Sequence, residues 1–141
     1  MVANLEKWLA GKWKLRKEIH DDLAGRQGCF EGMVFFEEIN DHRLRYHEEG
    51  TLYYGHHHGP ATQEYLYVFP HPYEARIYRS QHRFFHDLDL RSGFWQVEHM
   101  CARDCYKGRF VVESQNAWSV FWDIKGPRKK LTMTCCYQRQ S

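Results

Sequence analysis

Proline is scarce in this chain, at four of 141 residues, and glycine is ordinary at ten. Collagen-like and low-complexity classes are therefore excluded. No apolar run approaches the ~18 residues of a membrane-crossing helix, so no membrane span is expected. Residues 1–13 lack the apolar stretch of a secretory signal. No sign of charge dominates: 20 Lys and Arg stand against 18 Asp and Glu, a net of +2. That balance argues against a nucleic-acid partner. The one dense basic run is Lys125, Arg128, Lys129 and Lys130. There is no Gly-rich phosphate loop, no Gly-x-Ser-x-Gly elbow and no His-Glu-x-x-His helix. The five cysteines, Cys29, Cys101, Cys105, Cys135 and Cys136, include no C-x-x-C pair. An odd count without a signal peptide points to reduced, buried thiols and a cytoplasmic location.

Aromatic residues are abundant: nine Phe, nine Tyr and five Trp make 16% of the chain. With 43% hydrophobic and 27% charged residues, a disordered chain is excluded. The length fits one domain over residues 1–141. A chain of this size buries roughly 69% of its unfolded surface, so its core needs neither disulfide nor metal.

The order of polar and apolar residues gives the architecture. Asn4 can cap a short helix over about residues 4–10, with Leu5, Trp8 and Leu9 on one face and Gly11 at its end. The period then changes to two. Trp13, Leu15 and Ile19 alternate with Lys14, Arg16 and Glu18, and Leu44, Tyr46, Glu48 and Leu52 alternate with Arg45, His47 and Glu49. About ten such segments run to residue 139, separated by short turn signals such as 40–42, 91–93 and 126–128. Sequential strands with short turns pair antiparallel. A sheet of that length curls and closes on itself, removing its edges. The reading is all-β: an antiparallel up-and-down barrel of about ten strands with a short N-terminal helix, with a β-sandwich as the alternative fold.

Gly11-Lys12-Trp13 after a short helix resembles the Gly-x-Trp signature of lipocalins and related calycins. The whole chain resembles the small family known as domain of unknown function 6314, regarded as lipocalin-like. Leu9, Gly11, Trp13, Leu15 and Ile19 match its opening. Gly28, Phe30, Gly32 and Phe36 match its second stretch, and Leu44, Tyr46, Glu48, Gly50 and Leu52 its third. Phe85-His86 matches a Phe-His step. His99, Cys101, Asp104, Tyr106 and Gly108 match a later stretch, and Trp122, Gly126 to Lys129, Tyr137 and Arg139 the ending. Lys17 and Gln63 stand where the resemblance leads one to expect arginines. Gln81-His82 replaces an Asp-Gly turn, and Lys130 replaces an Asp. The resemblance implies a calycin-like barrel. It implies no activity.

Alternation also sorts the polar residues. If Trp13 faces inward, so does Lys17, and Tyr46 and Glu48 follow Leu44. His86 shares a face with Leu88 and Leu90, His99 with Val97 and Cys101, and Arg139 with Tyr137 and Cys135. A buried ion needs a partner: Lys17 and Arg139 are the cations at hand, Glu48 the anion. Apolar walls with a few convergent polar groups are the usual form of a binding site. Lys17, Tyr46, Glu48, Tyr65, Tyr67, His86, His99, Tyr106, Trp122, Arg128, Tyr137 and Arg139 are accordingly the candidate ligand-binding residues. Each has a structural alternative. By resemblance to lipocalins, Arg139 beside Trp13 would close one barrel end through a cation–π contact. Glu48 can be a satisfied core carboxylate, the tyrosines ordinary filling, and Lys125–Lys130 a solvated hairpin or a gate at the mouth.

His86 and His99 fall on neighbouring strands and titrate near neutrality in water. They therefore bear on three readings, namely acid–base catalysis, ligand hydrogen bonding or core packing. With Cys101 they could also form an open three-ligand metal site, and one of the two histidines could instead hold a haem. His56-His57-His58 is expected in a loop. The function expected first is interior binding of a small apolar or aromatic molecule by a monomer or homodimer. An isomerase, cyclase or hydrolase using His and Glu in the same cavity is the second reading. A protein-interaction scaffold is the third. The cofactor and any catalytic residue stay open.

Overall fold

A computed structural model describes residues 1–141. Helix α1 (Leu5–Leu9) is followed by strands β1 (Gly11–Asp21), β2 (Arg26–Asn40), β3 (Arg43–Tyr54), β4 (His57–His71) and β5 (Glu74–Arg79). A 3-10 turn at Ser80–His82 leads to β6 (Arg83–Asp89), β7 (Phe94–Cys101), β8 (Asp104–Ser114), β9 (Ala117–Gly126) and β10 (Lys129–Gln140). The ten-strand antiparallel barrel expected from alternation is what forms, and the helix lies one residue inside the expected range at each end. Asn4 caps it: its side chain accepts from the Lys7 N–H at 3.0 Å. No helix is long and apolar enough to cross a membrane.

The strands form one sheet in the order β6-β5-β4-β3-β2-β1-β10-β9-β8-β7. The first and last strands pair in register, Trp13 opposite Arg139 and Leu15 opposite Tyr137. That ladder curls the sheet into a barrel. Closure is incomplete, which corrects the expectation that no edge remains: β6 and β7 follow each other in the chain but share no ladder. Side chains bridge the seam instead. The Trp95 indole N–H donates to the Asp87 carbonyl at 2.8 Å, and the Phe85 and His99 rings meet edge to face at 5.3 Å.

Two close approaches let the sheet bend. Gly32 and Gly50 pair directly across β2 and β3, and a Cβ on Gly32 would collide with the Glu49 carbonyl oxygen. The Trp122 ring lies flat on Gly108, where a Cβ would meet it at 2.7 Å.

The helix end is sealed. Leu5, Trp8 and Leu9 pack under the strand ends, the Trp13 indole donates to the Leu9 carbonyl at 2.8 Å, and Trp8 and Trp13 meet edge to face at 5.3 Å. Arg139 lies over Trp13 at 4.3 Å and donates to Asn116 Oδ1 at 3.1 Å. The lid that the lipocalin resemblance implied is therefore in place. Residues at the opposite end, where β1 finishes and β2 begins, are more exposed. The outer face is polar, with cross-strand pairs such as Arg16–Glu31 and Arg45–Glu64.

Candidate functional site

Each strand presents its inward face to a shared interior, and one cavity remains there. Its walls include Lys17 from β1, Tyr46 and Glu48 from β3, Tyr65 and Tyr67 from β4, Phe85 and His86 from β6, Trp118 and Trp122 from β9, and Tyr137 from β10. Eight of the twelve candidate residues thus come together: Lys17, Tyr46, Glu48, Tyr65, Tyr67, His86, Trp122 and Tyr137. Four do not line the cavity. His99 and Tyr106 are half-buried at the seam, their rings 5.3 and 5.8 Å from that of Phe85. Arg128 is exposed in the turn between β9 and β10. Arg139 belongs to the sealed end.

The cavity is small, about 60 Å³, the share of about two waters in the liquid. Most of the expected hollow is filled by rings. Trp118 and Tyr137 stack at 3.7 Å and 1°, Phe85 and Trp122 at 5.3 Å and 15°, and Tyr46 and Tyr67 at 6.0 Å and 8°.

Through this apolar packing runs one polar chain. Lys17 Nζ donates to Glu48 Oε2 at 2.5 Å. Tyr46 Oη donates to Glu48 Oε1 at 2.6 Å. Tyr46 and Tyr137 share a further hydrogen bond at 2.8 Å. The one O–H of Tyr46 is donated in the hydrogen bond to Glu48, so in this second bond Tyr137 is the donor. Glu48 is 3% exposed, and its two oxygens are bonded by a cation and a phenol, as a buried carboxylate requires. Burial pushes the Tyr46 and Tyr137 phenols well above their usual range and raises Tyr65 and Tyr67 as well. All four are neutral donors at any physiological pH. The Cys135 thiol, pushed up to about 12 by burial, is an inert wall. The Trp118 indole N–H is buried with no acceptor in the protein.

His86 lies on the inward face of β6 with Leu88, as alternation expects, and a local irregularity brings its neighbour Phe85 in beside it. Ile77 faces His86 while Tyr78 faces Phe84, so Phe85 is an extra residue in β6. This β-bulge leaves both Phe85 and His86 facing inward, where strict alternation would send one of them out. The His86 Nδ1–H donates to the Asp87 carbonyl at 2.7 Å, which fixes Nε2 as the acceptor nitrogen. Desolvation lowers its pKa to about 4, against the backbone hydrogen bond to Asp87 that raises it. The expectation that His86 titrates near neutrality is corrected: burial keeps the imidazole neutral. His99, partly desolvated and facing the Arg79 charge, is also lowered.

No three His, Cys, Asp or Glu side chains come together to hold a metal, so His86, His99 and Cys101 form no such set. The histidine run is corrected too. His56 occupies the turn, while His57 and His58 open β4 and are exposed.

Sequence reasoning did not single out Phe85 as a cavity wall, because a bulge is invisible to a period-two rule. It also passed over Trp118 and Arg79. Both had a signal: Trp118 shares the face of Trp122, and Arg79 that of Ala75 and Ile77.

These features define a class, an up-and-down barrel sealed at one end with an aromatic interior crossed by one polar chain. The chain itself belongs to the family of unknown function DUF6314, whose profile matches residues 9–139. No curated protein matches it in sequence. Among solved structures it is similar to the S-type phycobiliprotein lyase CPES of Guillardia theta. The TM-score is 0.68 and the identity 7%, over 96% of this chain and 90% of that one. It is also similar to the barrel EF1p2_mFAP2b bound to DFHBI, with TM-score 0.53 and 13% identity over 99% of this chain and 100% of the other. A fluorescence-activating β-barrel designed de novo gives TM-score 0.52 and 13% identity over 99% of this chain and 100% of the design. At these identities the likeness is one of fold.

Proposed function

We propose that the barrel binds a small apolar or aromatic molecule in its interior. The reading rests on the Tyr137–Tyr46–Glu48–Lys17 chain. It runs from the deep wall toward the rim: the Glu48 side chain is 4% exposed and that of Lys17 17%. Aromatic faces offer contact to a planar apolar body, and the Tyr65 and Tyr67 hydroxyls and the free Trp118 N–H, none of them spent on the chain, offer donors to a polar substituent.

The cavity must widen to admit a ring, and its outer wall is suited to that. Met133 is half-buried and unbranched, and can swing aside. The Trp118–Tyr137 stack, further along β9 and β10 toward the sealed end, stays fixed. That the similar barrel EF1p2_mFAP2b holds DFHBI supports a small molecule fitting this architecture.

The test is a titration with N-phenyl-1-naphthylamine, a neutral fluorogenic naphthalene, followed by probe emission and tryptophan quenching. We expect saturable one-to-one binding with micromolar affinity. Met133→Trp fills the widening space and should weaken binding about tenfold, the cost of roughly 1.4 kcal/mol. Met133→Ala should strengthen it or leave it unchanged. Thermal melts of both variants confirm folding. Non-saturating binding, or affinity indifferent to Met133→Trp in a folded variant, refutes interior binding.

A further inference from the structure

The barrel's seam carries a feature that the interior does not explain. At its open end, where β5 finishes and β6 and β7 leave their edges unpaired, a depression of about 340 Å³ is lined by Arg79, Arg83, Phe84, His99, Met100 and Cys101, with the 3-10 turn at its lip. No Asp or Glu lines it. Arg16, Arg45, Arg76 and Arg91 each pair with a carboxylate, whereas Arg79 and Arg83 have none within salt-bridge reach.

Arg79 is the organised member. Its guanidinium lies 3.9 Å above the Phe85 ring and 4.7 Å above that of Tyr106. Its one side-chain hydrogen bond in the protein goes to a weak acceptor, the Cys101 sulfur, at 3.8 Å. A guanidinium has five N–H donors in a planar fork, so most of this fork is unspent. The two rings fix its plane, and little freedom is lost when an anion docks. The charge is half-buried and uncompensated, a state that an incoming oxyanion relieves. Its field already reaches both histidines, contributing to their lowered pKa.

The flank is apolar. Phe84 is 47% and Met100 58% exposed, side chains that a hydrated inorganic ion would not use. We propose that this depression is an anion site, built on Arg79, that takes the carboxylate of an apolar or aromatic molecule. Arg83 supplies a second, mobile positive charge at the rim. The Phe85 ring beneath Arg79 also stacks on Trp122 in the cavity wall, so the anion site and the interior share one ring. That connection rests on the interior-binding reading, but the anion site itself does not.

The test compares naphthalene-2-carboxylate with its neutral isostere naphthalene-2-carboxamide by calorimetry on the intact protein. We expect the carboxylate to bind about tenfold tighter, as a charge-assisted hydrogen-bonded pair provides, and to lose part of that advantage at high salt. Arg79→Gln should bring the two ligands to parity while leaving the carboxamide unaffected. Arg79→Lys should keep part of the preference through charge alone. Arg83→Gln, at an exposed position, should reduce the preference two- to threefold, and it serves should Arg79→Gln not fold. Equal binding of the two ligands, no binding of either, or a preference that survives Arg79→Gln in a folded variant overturns the proposal. Binding of neutral N-phenyl-1-naphthylamine is read separately. If it fails while the carboxylate preference depends on Arg79, interior binding falls and the anion site stands.

Discussion

Lys17→Met should destabilise the barrel by about 3 kcal/mol, the lower part of the range for stripping one partner from a buried ion pair. The cause is the carboxylate left behind. Glu48 is 3% exposed and would keep only the Tyr46 hydroxyl as a donor. The reverse change is gentler. In Glu48→Gln the Lys17 ammonium, nearer the rim, can swing to water, and the amide still accepts from Tyr46. That variant should lose about 1 kcal/mol. The double variant should recover most of the Lys17→Met loss, because no unpaired charge remains inside. Urea unfolding with unchanged slopes reads all three. Equal losses for the two single variants, or no recovery in the double, would show that the pair is not buried as described.

The second large effect is on pH. The folded barrel holds the His86 imidazole at about 4, whereas the unfolded chain titrates it near 6.5. Between those values the unfolded chain binds a proton that the folded one refuses, so acid favours unfolding. His86 should therefore contribute its full stabilisation above about pH 6.5. That contribution falls with the pH and is gone near pH 4, a total of about 3 kcal/mol. His86→Phe should remove most of the slope in this window and leave the part due to His99, which is lowered too. The residual slope at lower pH belongs to carboxylates held below their usual range. Asp21 is lowered by its hydrogen bond from Tyr54 and Asp89 by Arg91. Stability measured at half-unit pH steps for both proteins tests the point. An identical slope in wild type and His86→Phe would place the imidazole in contact with water.

Much of the barrel was legible because period-two alternation is a direct record of which face is buried. Trp13-Leu15-Lys17 and Leu44-Tyr46-Glu48 read correctly, charged members included, and Lys17 meets Glu48 although β2 lies between their strands. Alternation carries no information about closure or local irregularity. It could not show that β6 and β7 stay unpaired, nor that the extra residue Phe85 brings two consecutive side chains inward. Volume was equally out of reach. The same rings suit a hollow or a filled interior, and only their stacking distances decide for the filled one. Arg79 was overlooked because an arginine at a strand end reads as solvated until the rings of Phe85 and Tyr106 are placed beneath it.

The central claim, that the interior accepts a small aromatic molecule, is tested most directly by nuclear Overhauser contacts from bound N-phenyl-1-naphthylamine in isotope-labelled protein. Contacts to Tyr46, Trp122 and Tyr137, with Met133 shifted and the outer-face residues silent, are the predicted result. Contacts confined to exposed side chains such as Tyr53 and Phe94, with the interior resonances unmoved, would contradict it.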